Sequence, residues 1–153
     1  MSFLDHIKQR RTIYAVGKNV ALTPEQIESV IKEAVNHSPS AFNSQTSRIV
    51  TLFGESHLQL WNIVRETLRK IVPEAAFEGT NTKINSFAAG YGTVLFYEDQ
   101  DVVKSLQEQF ALYADNFPVW SEHSSAIAQF AVWTALSEQN IGASLQHYNP
   151  CLL

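Results

Sequence analysis

The sequence predicts a single layered domain of the α/β or α+β class in which helices dominate. Three observations predict it. Apolar stretches with helical spacing outnumber the short runs of branched and aromatic residues. Those runs are separated by helical segments and never joined by a tight hairpin, and no repeat, low-complexity tract or flexible linker divides the 153 residues. A chain of this length suits one domain, able to bury roughly two-thirds of its unfolded surface.

Each element follows from local chemistry. Phe3, Leu4 and Ile7 mark a short N-terminal helix running into Arg10-Arg11-Thr12. Thr23-Pro24-Glu25-Gln26 joins a capping box to a proline at the first helical position, and Ile27, Val30, Ile31, Ala34 and Val35 continue as one apolar face that stops near His37, before Pro39. Arg48-Ile49-Val50-Thr51-Leu52-Phe53-Gly54 has the composition of a buried strand. Ser56 and Gln59 offer a second capping box, with Leu58, Trp61, Val64, Leu68 and Ile71 at helical spacing up to Pro73. A shorter helix around Ile84 and Phe87 is expected to end at Gly90. Thr93-Val94-Leu95-Phe96-Tyr97 reads as a second strand, and Val102, Val103, Leu106, Phe110 and Tyr113 restore the helical period.

Between residues 124 and 139, Ile127, Ala128, Phe130, Ala131, Val132, Trp133, Ala135 and Leu136 cover nearly the whole circumference of a helix. A helix apolar all round is buried all round, and in so small a domain the expected cover is another subunit. Ala143-Ser144-Leu145-Gln146-His147-Tyr148 alternates like a third strand before Asn149-Pro150.

Composition removes several function classes. Lys and Arg total 11 against 15 Asp and Glu, a net charge of −4, so no broad cationic face is available for nucleic acid or anionic lipid. The start of the chain breaks its apolar residues with charge too early for a signal peptide. The most apolar stretch, 126–136, contains Gln129 and Thr134 and is too short for a membrane span, so a soluble protein is expected. The single cysteine, Cys151, excludes an internal disulfide framework and a zinc site of several thiolates, and fits a reducing cytoplasm. Three Trp, five Tyr and nine Phe must line a core, a pocket or an interface.

The familiar catalytic signatures fail. His6, His37, His57, His123 and His147 show neither HExxH nor helical i, i+4 pairing, so no metal site is expected. No GxSxG elbow exists, and Ser38-Pro39-Ser40 has no identifiable base. Gly90-Tyr91-Gly92-Thr93-Val94-Leu95 lacks the third glycine of a dinucleotide fingerprint and precedes a strand where that motif follows one, so it reads as a helix stop and turn. Cys151 reads as an incidental thiol.

Three segments remain. Two guanidinium forks and a hydroxyl in Arg10-Arg11-Thr12 suit a phosphate, and equally describe a solvated basic helix end. The polar 38–45 loop, Ser38-Pro39-Ser40-Ala41-Phe42-Asn43-Ser44-Gln45, lies between a capped helix and a strand, where loops bind ligands; it also reads as a turn satisfying its own backbone. Gln146-His147-Tyr148-Asn149-Pro150 carries a row of donors, with a satisfied core histidine as the alternative.

Together with Ile13-Tyr14-Ala15 and Phe87-Ala88-Ala89-Gly90, these segments resemble, in order along the whole chain, the nitroreductase family of FMN-dependent oxidoreductases. Within it they are similar to the small bacterial and fungal branch related to the fatty-acid-repression-mutant proteins. The resemblance implies an α+β fold, a central sheet flanked by helices, in an intertwined homodimer with two FMN molecules at the subunit interface. By motif match, Arg10 and Arg11 would hold the FMN phosphate and ring edge, and Thr12 the ribityl chain. Pro39, Ser40, Asn43 and Gln45 would approach the isoalloxazine from the partner subunit, and Gln146, His147 and Tyr148 would lie against the flavin. Phe42 and Trp120 are the expected walls of the acceptor pocket.

The implied activity passes a hydride from NADH or NADPH through FMN to nitroaromatics, quinones or similar acceptors in a ping-pong cycle. The flavin carries the chemistry, so no side chain is needed as nucleophile or base. The sequence departs from the family at its end: residues 1–153 are expected to form one domain without the family's C-terminal strand and basic arm. The competing expectation is therefore a truncated, non-catalytic homodimer with a binding or regulatory role and weak or no flavin binding.

Overall fold

Our computed structural model describes residues 2–148, so the expectations placed on Asn149, Pro150 and Cys151 lie outside the described residues. Among those residues the helices are α1 (Phe3–Gln9), α2 (Pro24–Asn36), α3 (Gly54–Arg69), α4 (Glu74–Ala88), α5 (Gln100–Gln109) and α6 (Phe117–Glu138). Two strands, β1 (Ser47–Phe53) and β2 (Gly92–Glu98), pair antiparallel with Ser47 opposite Glu98 and Phe53 opposite Gly92. Helices α3 and α4 lie between the strands in sequence, which is why no hairpin signal appears.

The capping signals are realised in α2, where the Thr23 hydroxyl accepts from the Gln26 amide and the Gln26 side chain accepts from the Thr23 amide. Ser2 and Asp5 form the same box at α1. The Ser56–Gln59 box does not form, because α3 begins at Gly54, whose φ of 53° turns the chain directly out of β1. Gly92 has a packing reason: a Cβ there would lie 2.7 Å from the Phe53 ring.

Helix α4 is longer than expected, and Tyr113 falls outside α5 in a 3-10 turn spanning Ala111–Asn116. Helix α6 starts at Phe117, well before residue 124, with a proline in its first turn. The third strand is not formed. Ala143 makes one parallel bridge to Thr12, with Ile13 N–H donating to the Ala143 carbonyl at 3.0 Å, and the following residues run as irregular chain.

Two apolar clusters hold the layers. Ile27 and Ile31 of α2 pack with Val132 and Leu136 of α6 under Ile49, Phe53, Val94 and Phe96 of the sheet. Trp61 and Val64 of α3 pack with Ile84 and Phe87 of α4. Among the described residues one side of α6 is covered: Ala128 and Val132 are buried, whereas Ile127 and Phe130 are 43% and 39% exposed.

Candidate functional site

The 38–45 loop leaves α2 at a helix end where the Ser38 hydroxyl donates to the Ala34 carbonyl at 2.8 Å. It then folds on itself: the Ser40 hydroxyl accepts from the Gln45 amide, and Asn43 N–H donates to the Ser40 carbonyl, both at 3.0 Å. Phe42, Asn43 and Gln45 all have left-handed backbone, with φ of 58°, 49° and 50°. Asn tolerates that region; Phe and Gln adopt it at a cost that surrounding structure must offset, and such strain gathers at functional sites. For Phe42 the offset is visible. Its ring stacks on Trp120 with centroids 5.6 Å apart and an interplanar angle of 18°, and it also touches Phe110, Tyr113 and Phe117. Even so, Phe42 remains half exposed, as do the Asn43 and Gln45 side chains beside it.

Two cavities flank the loop and share Pro39, Ser40 and Ser124. One, of about 180 Å³, is lined further by Ala41, Trp120, His123 and Ile127. The other, of about 220 Å³, is more polar and includes Asn36, Gln45, Ser47 and Arg48. Arg48 is fixed by Asp99 at 2.9 Å and by the Gln45 carbonyl at 2.8 Å, so its charge is matched before any ligand arrives. Asp99 in turn caps α5, accepting from the Asp101 and Val102 amides.

The arginine segment lies elsewhere along α6. Arg10 places its guanidinium carbon 4.1 Å from the Trp133 ring centroid and 5.7 Å from that of Phe130. Arg11 is exposed and folds back to donate to the Arg10 carbonyl at 2.9 Å. Thr12 is exposed and sits at the parallel bridge, so the structure brings Arg10–Thr12 beside the 143–148 stretch. In that stretch Gln146 donates to the Ser144 hydroxyl at 3.2 Å, and His147 is exposed. Tyr148 packs edge-on to Trp61, centroids 5.7 Å apart, and tilted against Phe87, which places it on the α3–α4 core.

The expected residues thus form two groups within one chain. Pro39, Ser40, Phe42, Asn43, Gln45 and Trp120 gather at the N-terminal half of α6, and Arg10 lies over Trp133 and near Phe130, with Arg11 and Thr12 following it in the chain. At 1.5 Å per residue, Ser124 and Trp133 are roughly 13 Å apart along the helix axis.

Sequence reading missed His123, Phe110, Tyr113, Phe117 and Trp133 as members of these groups. Pro118 was the available signal. A proline in a first helical turn starts α6 early enough to put Trp120, His123 and Ile127 at helical spacing on one cavity wall. His123 is the sole titratable side chain lining the smaller cavity.

Exposed amides and aromatic rings thus flank two shallow cavities at one end of α6, and a guanidinium held over an aromatic ring lies further along it. The family is specific. The model described as "Nitroreductase family" matches residues 7–150, and the chain belongs to the nitroreductase family, whose members are oxidoreductases. The Saccharomyces cerevisiae protein HBN1 is 33% identical over 150 residues, covering 97% of this chain and 75% of that protein. The nitroreductase FRM2 of the same yeast is 29% identical over the same shares. Among solved structures, nitroreductase CinD from Lactococcus lactis in complex with nicotinic acid is similar at a TM-score of 0.88 and 55% identity, over 97% of this chain and 75% of that one.

Among the described residues, no helix is long and apolar enough to cross a membrane, and no three His, Cys, Asp or Glu side chains gather as a metal site would require.

Proposed function

We propose that the chain is an FMN-dependent oxidoreductase that passes reducing equivalents from NADH or NADPH to nitroaromatics, quinones or similar planar acceptors by a ping-pong route, as a cytoplasmic homodimer. The observation that carries this reading is the split arrangement on α6. One chain presents an anion-directed arginine segment at Trp133 and an amide-rich, aromatic-walled loop roughly 13 Å away along the helix axis. That geometry favours two chains completing each cofactor site, and the apolar face of α6 left exposed at Ile127 and Phe130 is a surface able to join them.

The residues fit FMN. Arg10 Nε is a buried donor with no partner among the described residues, and Arg11 adds a second guanidinium beside it, which together suit a phosphate. When bound, FMN supplies the hydride chemistry. Arg10, Arg11 and Thr12 would bind its phosphate and ribityl end. Asn43 and Gln45, exposed on left-handed backbone, would donate amide hydrogen bonds to the ring edge from the partner subunit, alongside Pro39 and Ser40. Gln146, His147 and Tyr148 lie in the stretch bridged to the arginine segment and would lie against the flavin, with Tyr148 braced on Trp61 and Phe87. Trp120, braced by Phe42, would form the flat wall against which an aromatic acceptor stacks. The Lactococcus relative has been solved with chloramphenicol and with 4-nitrophenol, which supports a planar aromatic acceptor here.

The test is direct. Purified protein supplied with FMN is expected to turn yellow, to bleach anaerobically with NADH or NADPH, and to recover colour on addition of menadione or 4-nitrophenol. Protein that takes up no FMN refutes the reading. Protein that binds FMN without turnover supports instead the non-catalytic homodimer.

A further inference from the structure

Three buried side-chain nitrogens have no hydrogen-bond partner among the described residues: His6 Nδ1, Arg10 Nε and Trp133 Nε1. All belong to the seam where α1 meets α6. His6 and Arg10 are one helical turn apart, and the other ring nitrogen of His6 faces Glu138 of α6 at 3.8 Å. The rest of the described molecule satisfies its buried side chains, so this seam is where an acceptor is missing.

The Arg10 guanidinium is held over an aromatic face, 4.1 Å from the Trp133 ring centroid. A guanidinium stacked in this way keeps its full charge, loses much of its rotational freedom, and directs its N–H groups outward in one plane. Arg11 is held differently, with one terminal nitrogen donating to the Arg10 carbonyl.

We propose that Trp133 is the positioning residue of a phosphate-ester site. Its ring fixes the plane of the Arg10 guanidinium so that the buried, unpaired Nε–H meets a phosphate oxygen. Acting through Arg10, Trp133 governs how strongly the phosphate contributes to cofactor binding and leaves the flavin ring's contribution unchanged. The inference rests on the FMN reading above and adds to it a residue that no motif marks.

The test compares FMN with riboflavin, which has the same ring and no phosphate, by fluorescence titration of the full chain. The wild-type protein is expected to prefer FMN. Trp133→Met keeps a smaller apolar side chain but removes the aromatic face, and should weaken FMN about tenfold while changing riboflavin affinity by less than about twofold. Trp133→Phe keeps a face and should restore most of the preference. Arg10→Gln should lose the preference with Trp133 intact, and adding Trp133→Met to it should cost nothing further.

Equal weakening of both ligands by Trp133→Met, additive losses in the double variant, or a preference retained in Arg10→Gln would overturn the proposal. A preference retained in Arg10→Gln overturns the proposal even if the Trp133 variants fold poorly. A wild-type protein that takes up neither ligand is a different result, because it removes the cofactor reading itself.

Discussion

Trp61 and Trp133 are the same side chain in opposite circumstances. Trp61, 6% exposed, donates its indole N–H to the Thr93 hydroxyl at 3.0 Å. That hydroxyl lies 2.8 Å from His57 Nδ1, and the other ring nitrogen of His57 lies 3.1 Å from the Ala88 carbonyl. A carbonyl can only accept, so the His57 hydrogen sits on Nε2, Thr93 donates to Nδ1, and every polar atom of the group is matched. Trp133 has a buried N–H with no partner among the described residues and carries a cation on its ring. The buried donors of the α3–α4 region are matched within one chain, whereas those of the α1–α6 seam have no partner among the described residues.

Breaking the closed region should have the largest effect. His57 is 2% exposed, and His57→Leu leaves the Ala88 carbonyl without a donor and the Thr93 O–H without an acceptor. A loss of about 3 kcal/mol in urea unfolding is expected. A loss below about 1 kcal/mol would show that the network is not closed.

A matched pair of substitutions sharpens the contrast. Trp61→Phe removes a satisfied hydrogen bond and Trp133→Phe removes an unsatisfied donor, so the first should cost about 1–2 kcal/mol more. Equal costs would contradict the distinction drawn between the two sites.

The smallest effect lies at the chain's first helix. The Ser2 backbone and hydroxyl groups donate to the Asp5 carboxylate and hold its pKa below the usual value of 3.8. A lowered folded-state pKa contributes stability above the unfolded value and loses it as pH falls through the folded one. The stability difference between wild type and Asp5→Asn should therefore be small at neutral pH and should shrink as pH falls below the usual carboxylate value of 3.8. A difference that is unchanged at low pH would mean that the capping box does not act through the carboxylate.

Much of the fold was legible in the sequence, because its elements advertise themselves locally. The Thr23–Gln26 box, the branched run of β1 and the apolar face of α2 each declare an element without reference to the rest of the chain. What was not legible depends on distant partners. Residues 143–148 alternate like a strand, yet a strand needs a neighbour along its length, and Thr12 supplies one bridge only. Tyr113 keeps the helical period but falls in a 3-10 turn, where its ring reaches Phe42.

The site divided in the same way. The loop and the paired arginines stand out by residue type, whereas Trp133 looked like one more core residue of an apolar helix. Its neighbour Arg10 comes from the other end of the chain, and no local pattern reports that contact.

The bridge between Thr12 and Ala143 joins stretches from opposite ends of the described chain. Closing so long a loop is entropically unrewarding until the intervening helices and strands are in place. The arginine segment is therefore expected to take up its position late in folding. On the FMN reading proposed above, cofactor uptake would then load only chains that have finished folding and stabilise those it loads by mass action.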